Sequence, residues 1–416
     1  MTLLARDASH RAKHSFVVFS DDFGAHPSSC QHIFRHVIPD HEVLWVNTIG
    51  MRNPTWSASD LGKALYKLKG MVLPPRRRSI DERRLSPAVC QPFMLPFSRF
   101  KGVRAFNARS VARTVGSRLR GSGVEPPLFV STVPNAGDYT HLMQHSTVVY
   151  YCVDDFAAWP GLDARVVRDM EQRLIERADR LIAASEALLE RLAAHGKPVS
   201  LLTHGVDLEL FAGRDAPVHP CLREIPAPRV GFFGLIDPRI DEQLVKAVAR
   251  QMPHISFVFA GPLGMPSGTL AVSENVHLVG PLPYGELPSL IAGLEVLLLP
   301  YRTEGLGNRL SPLKLKEYLA TGKPIVSTPI VEAMRQSRYV TLANSPAEWL
   351  DAISGALGSD VDKRQSEILP QLEQESWASK ARTFLDLCAE TARRREGQSA
   401  DRPSPSSGDR TRMIAG

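Results

Sequence analysis

Cysteine and long apolar segments are both scarce in this sequence. The five cysteines stand far apart, at Cys30, Cys90, Cys152, Cys221 and Cys388. None has the short spacing of a zinc site, so we expect a reducing compartment and no bound metal. No run of eighteen apolar residues occurs, and the apolar segment 16–19 is too short for a signal-peptide core. We therefore expect a cytoplasmic protein without a membrane-spanning helix.

Dinucleotide and nucleic-acid signatures are also missing. The sequence has no complete Gly-x-Gly-x-x-Gly motif, which argues against an ordinary dinucleotide site. It has no recognition-module signature and no aromatic residues interleaved with cations in the manner of single-strand-binding proteins. The net charge of +6 and the pI near 9.1 still indicate an acidic partner. We expect an anionic membrane surface rather than nucleic acid.

Much of the positive charge lies in the first half of the chain. Arginines occur at 76–78 and 83–84, followed by Arg99, Lys101, Arg104, Arg109, Arg113, Arg118 and Arg120. The segment 97–119 predicts a basic helix with five apolar side chains among its cations, namely Phe100, Val103, Phe106, Val111 and Val115. Such a helix is either a solvated helix packed on a sheet or a face that binds a membrane surface.

The length of 416 residues allows two domains, and short apolar segments alternate with helical ones along most of the chain. Strands are predicted at 15–19, 42–46, 128–132, 148–153, 181–184 and 199–202, and then at 230–234, 256–260, 276–278, 296–299 and 325–327. A surface helix is predicted at 166–180. These elements indicate an α/β protein with two Rossmann-like domains.

The domain boundaries follow from this alternation. We predict a disordered arm at 1–14, a first domain at 15–204 and a second domain at 205–375. A helix at 376–394 is expected to close the fold by packing back on the first domain. The tail 395–416 is rich in Ser, Pro and Arg and is expected to be disordered.

The segment 294–327 is the most informative part of the sequence. A buried strand at 296–299 precedes a glycine-containing loop, and Ser311 followed by Pro312 predicts the N-cap and first turn of a helix. Gly322 predicts the left-handed end of that helix, before the next strand at 325–327. The whole segment is therefore one strand–loop–helix–strand unit.

Lys314 falls at the third position of this helix, where a cation opposes the helix dipole. A lysine is favourable there if an anion binds the free amides of the helix N-terminus. Glu317 lies on the same face and can accept hydrogen bonds from hydroxyls beside that anion. An anion next to a diol describes a nucleotide or a sugar phosphate. The alternative is a solvated Lys–Glu pair on a surface helix.

Three further places follow the ends of predicted strands. Gly234 allows a ligand close to the backbone, and Arg239 is placed to reach a phosphate. The loop that contains His26 follows the first strand, where open α/β sheets bind ligands, or it is only a capped turn with surface histidines. Asp154 and Asp155 end another strand and either face a cleft or cap the next segment.

The run at 311–327, Ser-Pro-Leu-Lys-Leu-Lys-Glu-Tyr-Leu-Ala-Thr-Gly-Lys-Pro-Ile-Val-Ser, resembles the donor-site segment of retaining GT-B glycosyltransferases of the family 4-like, group 1 type. It is similar to that of the bacterial exopolysaccharide and teichuronic-acid enzymes. In that family the glutamate at the position of Glu317 holds the nucleotide ribose. The family's other glutamate stands eight residues earlier, where this chain has Arg309. Glu304, followed by a Gly-Leu-Gly turn that ends at Gly307, resembles it but lies thirteen residues before Glu317.

The resemblance extends to other segments. The loop with His26 and the pair Asp154-Asp155 are similar to family loops that face the interdomain cleft and the acceptor. The segment from Gly280 to Tyr284 is similar to the one whose backbone contacts the base. Residues 203–211 resemble the family's interdomain hinge, with His204 in place of the usual asparagine.

The resemblance implies the GT-B fold, with two facing domains, an interdomain cleft and a C-terminal crossover helix. It implies transfer, with retention, of a sugar from a UDP- or GDP-sugar to a glycan or lipid-linked acceptor in cell-envelope polysaccharide synthesis, without a further cofactor. The implied catalytic residues are His26, Asp154, Asp155 and Glu304. The implied donor-binding residues are Gly234, Arg239, Gly280, Tyr284, Gly307, Ser311, Lys314 and Glu317.

Two other functions remain open at this point. One is a non-hydrolysing sugar-nucleotide epimerase of the same fold, which would need no acceptor. The other is a nucleotide-binding protein that has lost catalysis, which Arg309 at the family's glutamate position suggests.

Overall fold

A computed structural model describes residues 14–24, 28–48, 86–96, 98–120, 126–159, 161–213, 215–270, 273–304 and 313–400. The chain divides into two compact units. The first comprises residues 1–203 and 381–416, and the second comprises residues 204–380. The chain therefore crosses twice between the units, near residue 203 and near residue 380.

The first unit contains a seven-stranded sheet. Its strands are β1 (Ser15–Ser20), β2 (Glu42–Asn47), β3 (Ala88–Cys90), β4 (Leu128–Ser131), β5 (Thr147–Cys152), β6 (Arg180–Ala183) and β7 (Val199–Leu201). The order across the sheet is β3-β2-β1-β4-β5-β6-β7, and every pairing between these strands is parallel. The central strands are buried on both faces, which explains why they read as continuous apolar runs.

Helices cover this sheet. They are α1 (Ser29–Val37), α2 (Lys101–Leu119), α3 (Ala164–Arg177), α4 (Glu186–Ala193) and the part of α12 (Trp377–Ala400) that follows residue 380. Side-chain N-caps begin three of them, because Ser28, Asp163 and Ser185 each accept a hydrogen bond from a first-turn amide.

The second unit contains a six-stranded sheet. Its strands are β8 (Arg229–Phe233), β9 (Ser256–Ala260), β10 (Val276–Gly280), β11 (Val296–Leu299), β12 (Ile325–Ser327) and β13 (Thr341–Leu342). Its helices are α5 (Leu208–Phe211), α6 (Glu242–Gln251), α7 (Leu287–Ala292), α8 (Leu313–Thr321), α9 (Val331–Arg335), α10 (Pro346–Ala356) and α11 (Val361–Leu372). The order β10-β9-β8-β11-β12-β13 is again parallel throughout.

Each sheet has one topological switch point. In the first, the chain builds outward from β1 through β2 and β3 and then returns to place β4 on the other side of β1. In the second, β8 has β9 and β10 on one side and β11 on the other. Open α/β sheets bind ligands outside the carboxyl ends of the strands at such points. The two candidate places are therefore the ends of β1 and β4 and the ends of β8 and β11.

The predicted strands at 256–260, 296–299 and 325–327 match the structure at both ends, and the others match within two residues. Gly322 ends α8 with a φ of +70°, so the predicted left-handed cap is confirmed. The helix predicted at 97–119 begins only at Lys101, because Phe100 has extended backbone angles.

The surface helix predicted at 166–180 is α3, which exposes a charged face and buries Val167, Met170 and Leu174 on the other, and it ends three residues earlier than predicted, at Arg177. One prediction about disorder is wrong. The disordered tail does not begin at residue 395, because α12 continues to Ala400. Residues 1–13 and 401–416 lie outside the described residues.

Candidate functional site

Glycines with positive φ follow three neighbouring strands of the second sheet. Gly234 after β8, Gly261 after β9 and Gly280 at the end of β10 have φ values of +129°, +146° and +79°. A side chain at Gly261 would collide with the backbone, because its Cβ would lie 1.9 Å from the carbonyl oxygen of Gly234. A Cβ at Gly280 would meet nothing within 4 Å. The backbone is thus tightly packed at β8 and β9 and open to a ligand at β10.

Lys314 lies at the switch point of the second sheet. Its Nζ donates a hydrogen bond to the Tyr301 hydroxyl at 2.6 Å and lies 4.5 Å from the centre of the Phe232 ring. A Cβ at Gly234 would lie 2.5 Å from this Nζ, so a side chain there would displace the ammonium, and the φ of +129° also favours glycine. Within the described part of the chain, Lys314 forms no salt bridge with a carboxylate. Its charge is therefore available to an anion.

Glu317 is the second polar group of this site. It is 9% exposed, and its Oε1 accepts a hydrogen bond from the Tyr284 hydroxyl at 2.9 Å. Burial raises the pKa of Glu317 to about 7, although the Tyr284 hydrogen bond and Lys314 lower it and Asp207 raises it further. The predicted alternative of a solvated Lys–Glu pair is wrong, because both side chains are packed against aromatic residues.

Helix α8 is fixed from two sides. The Tyr318 hydroxyl accepts a hydrogen bond from the Phe233 amide at 3.2 Å and donates one to the Leu298 carbonyl at 3.4 Å, which ties the helix to β8 and β11. Lys316 forms a salt bridge with Glu375 and donates to the carbonyl of His204. Lys314 and Glu317 therefore project from a held helix, which favours a preformed site.

The other predicted donor-site residues have different surroundings. Arg239 is held by Asp237, since its Nε lies 2.9 Å from both carboxylate oxygens. Tyr284 joins the site through Glu317, whereas Glu304 is exposed. Gly307 and Ser311 lie outside the described residues.

The sequence interpretation missed three residues of this site. Gly261 stands directly after a buried strand, as Gly234 does, and this shared position was the signal for it. Tyr301 follows β11 at the switch point in the same way. Asp207 acts on the pKa of Glu317 and had no sequence signal for that role, because 110 positions separate the two residues.

Hydrogen bonds within the protein occupy the corresponding edge of the first sheet. The Ser20 and Thr132 hydroxyls are 2.6 Å apart at the ends of β1 and β4. The Asp21 carboxylate accepts hydrogen bonds from Ser20, Ser28 and Gln31 at 2.7, 3.0 and 2.6 Å. These bonds fold the loop on itself. His26, predicted as catalytic, lies outside the described residues.

Asp154 and Asp155 follow β5, two strands away from β1. Asp154 is exposed and accepts a hydrogen bond from the amide of Asp155 at 2.7 Å, so it caps its own turn. Asp155 is half-buried and lines a cavity of about 220 Å³ together with Arg168, Glu171, Gln172, Ile175, Arg191 and His195. Asp154 is thus a local cap, and Asp155 forms part of the wall of a cavity.

A buried ion pair crosses that cavity. Arg191 binds both carboxylate oxygens of Glu171, at 2.7 and 2.9 Å, and Tyr150 donates to the same carboxylate at 2.7 Å. Burial raises the pKa of Glu171, but the bonds from Arg191 and Tyr150 outweigh it and hold the net pKa below the usual value. The carboxylate of Glu171 is therefore satisfied by other protein groups and is not left free in this cavity.

The carboxyl edge of the second sheet combines an available cation, Lys314, with a buried carboxyl acceptor, Glu317, and open backbone at Gly280. This combination suits a phosphate beside hydroxyl groups. Among the described residues, no three metal-ligating side chains lie together, and no helix has the length and apolar character needed to cross a membrane.

Comparison with known proteins shows that the second unit is similar to glycosyltransferases. The family model described as glycosyl transferases group 1 matches residues 227–359, which contain the second sheet and α8. A Bacillus subtilis (strain 168) protein named as a teichuronic acid biosynthesis glycosyltransferase, TuaH, is 29% identical over 259 residues. That alignment covers 57% of this chain and 65% of the relative, so the chain spans less than two thirds of the relative's length.

Solved structures extend the likeness to both units. Sucrose-phosphate synthase from Thermosynechococcus elongatus superposes with a TM-score of 0.61 and 13% identity, over 91% of this chain and 99% of the other. Anabaena HepE in complex with UDP-glucose gives a TM-score of 0.52 and 12% identity, over 93% and 100%. The predicted fold class, two parallel-sheet Rossmann-like domains of the GT-B type, is confirmed.

Proposed function

We propose that this protein is a glycosyltransferase that moves a sugar from a nucleoside diphosphate sugar to an acceptor, with retention at the anomeric carbon. The observation that carries this proposal is the position of Lys314 at the switch point of the second sheet, with no carboxylate partner in the described residues and directly over Gly234. The family match to residues 227–359 supports it.

The site's chemistry suits departure of a diphosphate. When the bond between the sugar carbon and the diphosphate oxygen breaks, the electron pair goes to the diphosphate. Lys314 and the first-turn amides of α8 are placed to stabilise that charge. We assign the ribose hydroxyls to the Glu317 carboxyl group and the base to Gly280 and Tyr284. The UDP-glucose complex of HepE supports UDP as the nucleotide, with GDP as the alternative.

We assign the acceptor side to the first unit. Asp154, Asp155 and His26 are the candidates to take the acceptor's proton, with Glu304 as a candidate at the donor sugar. The name of the relative TuaH supports a cell-envelope polymer as the product, and hence a glycan or lipid-linked acceptor at the cytoplasmic face of the membrane.

The test is a screen of labelled UDP- and GDP-sugars with a membrane extract as the acceptor source. Transfer of label to a glycan or lipid supports the proposal. Appearance of an isomeric nucleotide sugar without an acceptor would show an epimerase instead. Nucleotide binding without either reaction would show a binding protein.

Variants Asp154→Asn and Asp155→Asn test the acceptor-side roles in the same assay. They should lower transfer while the calorimetric affinity for the nucleotide stays the same. Full transfer by both variants would remove these two residues from the proposal.

A further inference from the structure

The positive charge of this protein is concentrated in the first half of the chain. Residues 83–124 contain no Asp or Glu, and their nine cations are Arg83, Arg84, Arg99, Lys101, Arg104, Arg109, Arg113, Arg118 and Arg120. Because the whole chain has a net charge of +6, the remainder carries −3. Residues 61–80 add six further cations without an Asp or Glu, so residues 61–124 together carry a net charge of +13 and the rest of the chain carries −7. Such segregation indicates a local anionic partner.

Helix α2 presents much of this charge on its outward face. At 100° per residue, Arg109, Arg113 and Arg120 lie opposite Val111 and Val115, which are fully buried. All three arginines are exposed. Phe106 shares their face, so the exposed strip from residue 106 to residue 120 is about 21 Å long.

Large apolar side chains are exposed at the N-terminal end of the same helix. Phe93, Phe100 and Phe106 are 47%, 50% and 45% exposed. The rings of Phe93 and Phe106 lie 6.2 Å apart, and the Arg99 guanidinium lies 4.7 Å from the centre of the Phe100 ring. Phe93 and Phe106 thus form an exposed aromatic pair, and the exposed Phe100 directly precedes the same helix; clustered exposed apolar side chains mark interaction sites.

The cations of this face are not neutralised within the described structure. Arg104, on the inner side of α2, pairs with Asp138 and Asp169 at 2.6 and 2.7 Å. In contrast, no salt bridge to a described residue is formed by the outer cations Arg99, Lys101, Arg109, Arg113 and Arg120. We call Arg109, Arg113 and Arg120, together with Arg99 and the three phenylalanines near the start of the helix, the basic–aromatic face.

We propose that the basic–aromatic face binds an anionic lipid bilayer. The phenylalanines gather at one end of a single exposed helix, where they can enter the headgroup region while the arginines along the helix contact lipid phosphates. A single-strand-binding surface would instead spread its aromatic residues between the cations along a groove. This inference rests on the proposed function in one respect. If the protein is the proposed glycosyltransferase, this face brings it to a membrane-bound acceptor.

Co-sedimentation tests this proposal with the full-length protein and needs no turnover. Vesicles of phosphatidylcholine alone are compared with vesicles containing 30 mol% phosphatidylserine, at low and at physiological salt. Binding should require the anionic lipid and weaken as salt rises, because exposed charges more than about 8 Å apart are largely screened at physiological salt. Equal binding to both vesicles, or binding to neither, would overturn the proposal.

Charge reversal locates the binding surface. The triple variant Arg109→Glu, Arg113→Glu, Arg120→Glu should lower binding by roughly 100-fold, since each cation contributes about fivefold. The matched control is Arg165→Glu, Arg168→Glu, Arg250→Glu, which changes the same charge at exposed arginines on α3 and α6. An equal loss in the control would overturn the proposal, because net charge alone would then account for binding.

Two further readouts separate the remaining outcomes. Phe100→Ser with Phe106→Ser should also weaken vesicle binding, and unchanged binding would overturn the role of the aromatic end. Tighter binding to single- or double-stranded oligonucleotides than to anionic vesicles at the same salt would show a nucleic-acid surface instead. Calorimetric nucleotide affinity of each variant should equal that of the wild type, so a failure of membrane binding is distinguishable from a failure of the donor site.

Discussion

The two sheets have the same parallel topology, but their switch points differ in one respect. At the first, the Asp21 carboxylate accepts three hydrogen bonds from its own loop. At the second, Glu317 is buried with a raised pKa, and Lys314 has no carboxylate partner among the described residues. One edge is satisfied internally, and the other keeps charge that the folded protein alone does not balance. Removing a charge at the switch point of the first sheet should therefore destabilise the protein, whereas removing one at the switch point of the second sheet should stabilise it.

Glu317→Gln tests the second edge and should give the largest effect. A carboxyl with a raised pKa holds its proton more tightly when folded, so the folded state keeps a proton between pH 4.5 and about pH 7 that the unfolded chain has lost. Stability from this group is complete below pH 4.5 and is lost as pH rises to about 7. Glutamine abolishes this dependence, so the variant should be more stable than wild type by about 3 kcal/mol at pH 8 and similar near pH 4.5.

Urea unfolding at pH 5 and pH 8 measures this difference. The control is Glu367→Gln, which removes an exposed glutamate on α11. If Glu317→Gln were less stable than wild type at pH 8, Glu317 would be a structural residue and the contrast between the two edges would fail.

Lys314→Met should give the next largest effect, on ligand affinity. Loss of a charge-assisted hydrogen bond removes about 1.5–3 kcal/mol, so calorimetric affinity for UDP or GDP should fall roughly 10- to 100-fold. Without ligand the melting temperature should hold or rise. Lys363→Met, at an exposed lysine on α11, controls for the lost charge. If Lys314→Met bound UDP or GDP as tightly as the wild type, the diphosphate would not bind at Lys314.

Asp21→Ala tests the first edge, with the opposite expectation. It leaves the Gln31 amide and two serine hydroxyls without their acceptor, so the free energy of unfolding should fall by about 1–3 kcal/mol. Nucleotide affinity should stay at the wild-type value. Unchanged stability together with weaker nucleotide binding would reverse the roles of the two edges.

Arg239→Gln should have the smallest effect. Asp237 already holds this partly exposed guanidinium, and such pairs contribute about 0–1 kcal/mol. Calorimetric affinity for the nucleotide should change by less than about threefold. A loss of tenfold or more would mean that Arg239 leaves Asp237 when the ligand binds.

The sequence was sufficient to predict eleven of the thirteen described strands, because buried parallel strands form apolar runs bounded by glycine and proline, but it missed the short edge strands β3 and β13. It also brought Gly234, Lys314 and Glu317 to one place, since each follows or faces a strand end. It did not reveal that Glu317 is buried, because the residues that affect it, Tyr284 and Asp207, are 33 and 110 positions away.

Two other differences between the sequence predictions and the structure also arise from contacts that the sequence does not show. Arg239 was expected to reach a ligand, but its partner Asp237 is only two residues away, and spacing alone does not decide between the two. The helix at 166–180 has an alternating charge pattern that suggested a surface position. One of its charges, Glu171, is buried because Arg191 and Tyr150 converge on it from other elements.

The most direct test of the donor site is a crystal structure of the protein with UDP. We expect the diphosphate within hydrogen-bond distance of the Lys314 Nζ, the ribose hydroxyls at the Glu317 carboxyl group and the base beside Gly280 and Tyr284. UDP bound to the first unit, or bound to the second unit with no contact to Lys314 or Glu317, would contradict the assignment of the donor site.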